Sequence, residues 1–298
     1  MIKCAAGITA CEQLGRGSAE DIAIAFSSLS AYLPTLMEIV KESSEHRKEA
    51  ARQVAQCLFL KATLSMHKEG PKRAVIYMEQ AAMYGKESRS IALQLGILKR
   101  LAWIYACDKQ RRPALERVLE GQSMLKKTKV TVSPLVHCRL YTGVAEYQAL
   151  NGHYDDALVA LREAHKAYAQ GGNDDSIDFN FSGLMLETGM AHYHAGRYSE
   201  AFAAYSQIID PETLLPKTDL SSERIRCEVI NYETLASLKL PKKDIERSIK
   251  LWTTGMQSAI ALRSEQRFNE AMTAYDIMEA LWPGESRIVS LHQYVEHW

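Results

Sequence analysis

The chain has 298 residues, is 47% hydrophobic and carries 36 Lys+Arg against 36 Asp+Glu, which excludes disorder over most of its length and a uniformly basic nucleic-acid surface. No apolar run reaches signal-peptide length and no 18 apolar residues run without charge, so the sequence predicts a cytoplasmic protein with no membrane partner and no nucleic-acid contact of its own. Six dispersed cysteines form no C-x-x-C pair and read as reduced, apolar residues, not as disulfides or zinc ligands.

Apolar residues recur at helical spacing and strict alternation is scarce, so the chain reads as all-α. Helices are predicted over 19–42, 45–68, 72–88, 90–107, 111–127, 134–150 and 154–170 in the first part. They continue over 178–195, 198–209, 221–238, 242–263, 265–281 and 285–296. Asp155 and Ser199 are N-cap types, Gly152 and Gly196 suit the left-handed residue after a helix, and Pro113, Pro134, Pro241 and Pro283 fall at or beside helix ends. Pro34 is expected to kink or split the first predicted helix.

The pattern Gly152-x-Tyr154-x-x-Ala157 returns as Gly196-x-Tyr198-x-x-Ala201. Aligning on that alanine gives Ala74, Ala114, Ala157, Ala201 and Ala271, at spacings of 40, 43, 44 and 70. Twelve residues earlier stands a small residue each time: Ala62, Ala102, Ala145, Gly189 and Ala259. Paired small residues let two antiparallel helices cross closely, and the larger Met78, Val118, Leu161, Tyr205 and Tyr275 close the gap four residues after each anchor.

This pattern resembles the tetratricopeptide repeat, although the signature Trp is missing and the spacings exceed that repeat's length of about 34. The resemblance implies an all-α, right-handed α-solenoid, a superhelix of helical hairpins. Residues 1–44 would be an N-terminal segment and leading helix, 45–283 an array of about five to six helical pairs, and 284–298 a capping helix. A narrower resemblance rests on the long repeats, on ITACEQL near the start and on SEQRFNEAMTAYDIMEALWPGESRI near the end. These are similar to the sensor portion of bacterial helix-turn-helix (XRE-type) transcription regulators. It implies a peptide- or ligand-sensing regulatory module whose DNA-reading part would precede residue 1. A passive scaffold that recruits an extended partner segment is the alternative.

No catalytic constellation is visible, so no enzyme and no cofactor are expected. His192-x-His194 places its rings about 200° apart on a helix and cannot share a metal, and His292 and His297 are no better placed. Asp155-Asp156 and Asp174-Asp175 read as helix-start or solvated turn residues. In the repeat register the first helix of each pair lines a concave surface, which gives Lys99, Trp103, Arg139, Glu146, Tyr193 and Asn231 as groove candidates for a peptide or protein segment. Trp103 and Tyr193 read more readily as core residues than as a ligand platform. Asn231 is of interest because one amide both donates to and accepts from a peptide backbone.

Charge is unevenly spread. Residues 1–150 carry 22 Lys+Arg against 14 Asp+Glu, and residues 151–298 carry 14 against 22. The basic excess, densest from Lys99 to Lys129, reads first as a solvated helix face and second as a docking surface for an acidic partner or for the acidic half of another copy, a homo-oligomer.

Overall fold

Serine, asparagine and aspartate side chains start seven of the fifteen described helices, and left-handed residues follow several of them. The computed structural model describes residues 2–43, 45–171, 179–218, 220, 222–296 and 298. In the first part they form α1 (Ile2–Leu14), α2 (Ala19–Glu42), α3 (Arg47–Lys68), α4 (Pro71–Ser88), α5 (Ile91–Cys107), α6 (Arg111–Lys127), α7 (Pro134–Leu150) and α8 (Tyr154–Ala169). There follow α9 (Phe181–His194), α10 (Tyr198–Tyr205), α11 (Glu223–Ser237), α12 (Ile245–Ala261) and α13 (Glu265–Leu281), then the single turns α14 (Ser286–Val289) and α15 (His292–Val295).

Ser18 and Asp21 form a reciprocal capping box at α2, and Ser90, Ser133, Asn180, Ser222, Asp244 and Ser264 each accept a backbone N–H at the start of their helices. The expected caps Asp155 and Ser199 lie one residue inside α8 and α10, because the Gly turn leaves His153 and Arg197 at the boundary, neither of which caps through its side chain. Gly152 and Gly196 take φ of 84° and 73°, the left-handed conformation their positions after α7 and α9 require.

The chain divides into two units, Met1–Ile177 and Asp178–Trp298. In unit 1 the pairs α1/α2, α3/α4, α5/α6 and α7/α8 are successive hairpins, and the first helices pack in sequence, α1 on α3, α3 on α5 and α5 on α7. In unit 2 the hairpins are α9/α10 and α11/α12, followed by α13, with α9, α11 and α13 in the corresponding row. Ala62 and Ala74, then Ala102 and Ala114, are 0% exposed at their crossings, as the repeat pattern requires. A Cβ added to Gly189 would stand 2.3 Å from the Tyr205 ring, so the glycine is what lets α9 meet α10.

Five features depart from the sequence reading, and the first is that the capping helix expected over 285–296 is two separate turns, α14 and α15. The N-terminal stretch is helical as α1, whose small side chains carry little amphipathic signal, and Gly7 seats the Tyr32 ring of α2. Pro34 does not split α2, which is continuous from Ala19 to Glu42. The helix α10 ends at Tyr205, four residues early, because 206–218 fold as a separate strap with a bridge between Ile209 and Pro216. Ala259 and Ala271 are buried, but they belong to α12 and α13, so the last matched pair lies between a hairpin and the helix after it. Of the described helices, α2 alone is long and apolar enough to cross a membrane by length and composition, and its Ile22, Ala25, Leu29, Leu33, Leu36 and Val40 are buried in the unit 1 core.

Candidate functional site

In unit 1 the row of first helices is joined by cations. The Arg100 guanidinium on α5 lies 4.9 Å from the centre of the Trp103 ring and 5.8 Å from that of Phe59 on α3. Lys99, one residue earlier, lays its methylenes against Gly143 of α7, where an added Cβ would stand 3.1 Å away. Aromatic faces attract guanidinium groups and glycine admits the lysine stem, so both cations are held across helix–helix seams instead of trailing in solvent. Of the predicted groove residues here, Lys99, Trp103 and Arg139 are half-buried, placed to reach both core and water. Glu146 is only 5% exposed and lies within α7's packed face beside Thr142 and Ala145. It contributes to the seam and not to an open surface.

The sequence reading passed over Arg100, although Lys99-Arg100 occupies the fifth and sixth register positions and both face inward. A further cation, Lys61, sits 4.7 Å from Phe26 and 4.6 Å from Tyr77, between α2 and α4, and burial pushes its pKa down.

In unit 2 the same row is built differently. Tyr193 at the end of α9 stands edge-on to Tyr198, Tyr232 and His194 at 5.5–6.3 Å between centroids, and burial pushes its hydroxyl to about 12. It is half-buried and serves as the hub of an aromatic cluster joining α9, α10 and α11. Asn231 is 1% exposed and does not line a surface. Its amide donates to the Arg267 carbonyl at 2.9 Å and to Glu270 at 3.3 Å, and Gly255 on α12 makes room for its carbonyl oxygen. The register places Asn231 on the inner side, but the third helix α13 packs over that side and takes up the amide.

Around Asn231 lies a buried charge network. Arg267, 3% exposed, pairs with Glu228 at 2.8 Å and with Glu270 at 2.6 Å. Burial opposes the charge on Arg267, and the two carboxylates override it, so its pKa is raised. Arg224 donates to the Leu262 carbonyl at 3.4 Å, and burial, then the neighbouring Arg267, pull it down to about 10. One carboxylate stands apart: Glu233 is 0% exposed and holds only the Ser206 hydroxyl, at 3.0 Å, while its second oxygen has no partner among the described residues. Burial raises its pKa to about 7.

Among the described residues no three His, Cys, Asp or Glu side chains converge for a metal, and all six cysteines are free thiols. Burial pushes both Cys57 and Cys227 to about 12. Asp174, Asp175 and His297 lie outside the described residues.

No family model and no curated protein matches the chain. Solved structures do. NprR, in complex with its cognate peptide NprX, is 17% identical with a TM-score of 0.55, over 93% of this chain and 71% of NprR. A signal-transduction ATPase (STAND protein) with a tetratricopeptide-repeat sensor, from Pyrococcus horikoshii, is 11% identical over 95% of this chain and half of its own length, at a TM-score of 0.33. The first likeness establishes the fold: an all-α solenoid built of tetratricopeptide-like hairpins.

Proposed function

We propose that the chain is a non-catalytic sensing module that binds a peptide on its row of first helices and serves as the regulatory part of a bacterial transcription regulator. The observation that carries the reading is the seam of Phe59, Lys99, Arg100 and Trp103 in unit 1, with half-buried Arg139 on the next helix. Aromatic and arginine side chains are the residues that most often anchor interfaces, and here they are already held in place, so binding loses less side-chain entropy. The fold likeness to NprR, a structure that contains a bound peptide, supports the same reading. Net positive charge along the seam favours a ligand that carries a carboxylate beside an apolar side chain. A cytoplasmic location and the absence of an enzymatic role belong to this proposal.

The test is isothermal titration with three pools of seven-residue peptides, carrying a fixed acidic, neutral or basic position. Binding by the acidic pool, weakened at least tenfold by Arg100→Ala with helix content unchanged, is the expected result. No heat from any pool removes peptide sensing and favours a scaffold for a folded partner.

A further inference from the structure

Segment 206–218 of unit 2 leaves α10 where a tetratricopeptide helix would continue and crosses to α11 as a strap. Its closure is specific. Lys217 donates to the Ser206 carbonyl at 3.1 Å and pairs with Asp210 at 3.3 Å, and the backbone adds bonds from the Lys217 N–H to the Ile208 carbonyl at 2.8 Å and from the Asp210 N–H to the Leu215 carbonyl at 2.9 Å. Asp210 accepts the Glu212 and Thr213 amides at 3.0 and 2.9 Å and folds the tip. Three helices hold the strap down. Ser182 of α9 bonds to Thr218 at 2.6 Å, Arg226 of α11 donates to the Leu214 carbonyl at 3.2 Å, and Lys250 of α12 donates to the Glu212 carbonyl. Of the strap's own side chains Ile208, Ile209 and Leu214 are buried, whereas Leu215 at the tip is 63% exposed.

Under this strap lies Glu233, the buried carboxylate with no ion-pair partner. Its only hydrogen bond among the described residues comes from Ser206, the first residue of the strap. The charged groups that reach it are Arg247 from α12 and Lys217 and Asp210 from the strap itself. Arg247 is already engaged, over the Phe202 ring at 5.6 Å and near Asp244 at 3.8 Å. A charge left bare in a dry interior is expensive, so an ionised Glu233 must find a cation.

We propose that Glu233 is a proton-operated latch. Protonated, it accepts the Ser206 hydroxyl and the strap lies shut. When its proton passes to solvent, the carboxylate draws in Lys217 and takes away its side-chain bonds to Ser206 and Asp210, which loosens the strap's closure and lets it open.

The direction follows from the pKa. Burial raises Glu233 from its ordinary 4.5 to about 7, so the closed strap holds the proton more tightly than the open one. Closure is therefore strongest below about pH 4.5 and weakens as pH rises, levelling off once Glu233 ionises in both forms, above about pH 7. Asp210 is drawn down to about 2 by the Thr213 and Glu212 amides, so it stays ionised throughout and contributes no transition in this window. Opening would uncover the apolar row of Ile208, Ile209 and Leu214 in response to a change from acid to neutral.

The test is hydrogen exchange of the full chain, read by mass spectrometry from about pH 5.5 to about pH 8.5 and corrected for intrinsic rates. Strap peptides should exchange roughly thirtyfold faster at the upper limit, most of the rise coming below about pH 7. Peptides of α13 should stay unchanged. Glu233→Gln, neutral and of the same shape, should hold the strap protected at every pH. Carbon-detected titration of the glutamate carboxyls in the unaltered protein supplies the second measurement and should show one group titrating near neutrality. A strap indifferent to pH, a Glu233→Gln protein that still opens, or α13 exchanging together with the strap would each overturn the latch.

Discussion

The two units solve the same packing problem with different chemistry. Unit 1 closes its hairpins on alanine, leucine, valine and isoleucine, and places Lys99 and Arg100 on the seam between its first helices, where stems and rings carry them. Unit 2 draws its charges inward, with Arg267, Arg224, Glu228 and Glu233 all under 9% exposed. Unit 1, to Ile177, holds 24 Lys+Arg against 19 Asp+Glu, and unit 2 holds 12 against 17. The difference teaches that the repeat fixes where small side chains must meet but leaves the space between successive first helices free. One unit fills that space at its margin with cation–aromatic contacts, and the other fills it with a buried ion network.

The sharpest way to break the contrast is to remove the network's centre. Arg267→Met leaves buried Glu228 and half-buried Glu270 without their cation and should destabilise unit 2 by about 3–5 kcal/mol. In a protein whose other three tryptophans are replaced by Phe, Trp252 reports this, since it is 1% exposed and lies within the unit 2 core. Replacing Arg267, Glu228 and Glu270 together by Met or Leu should recover most of the stability. A triple variant as unstable as the single one would mean that the network is not an electrostatic unit.

A smaller effect is expected where both units obey the same rule. Gly189→Ala puts a methyl 2.3 Å from the Tyr205 ring, which is 0% exposed and has nowhere to retreat. The cost should be about 1–3 kcal/mol despite the better helix propensity of alanine. In a Tyr205→Leu background the same substitution should become neutral or stabilising. If thermal unfolding shows the same loss in both backgrounds, the crossing is not what fixes glycine there.

These crossings were legible in the sequence because a close approach imposes a residue size at two positions twelve apart, and Ala62/Ala74 and Gly189/Ala201 carry that constraint openly. The hairpin order was legible for the same reason. The candidate site was legible only in part. Register alone singles out Lys99 and Trp103, and the structure finds both half-buried on α5. Register singles out Asn231 as well, but whether such a side chain meets water depends on the next helix, and α13 covers it. The start of the strap escaped notice because Ile208 and Ile209 prolong the helical pattern of α10 to residue 209. Only the bonds of Asp210 and Lys217 show why the helix stops at Tyr205.

The smallest expected effect concerns the charge difference between the units. If opposite units of two copies attract, the association rests on solvent-exposed groups such as Arg112, which is 87% exposed. Screening acts strongly on such groups, over roughly 10 Å at 0.1 M salt and roughly 3 Å at 1 M. Sedimentation velocity at low salt should therefore show weak self-association that disappears as salt is raised. Charge reversal of Lys126, Lys127 and Lys129, at the exposed end of α6 and just beyond, should abolish it without changing thermal stability. An assembly that persists in high salt would have to be held by an apolar surface. In that case the contrast between the units would concern how each one folds, and the surface charge would not select the partner.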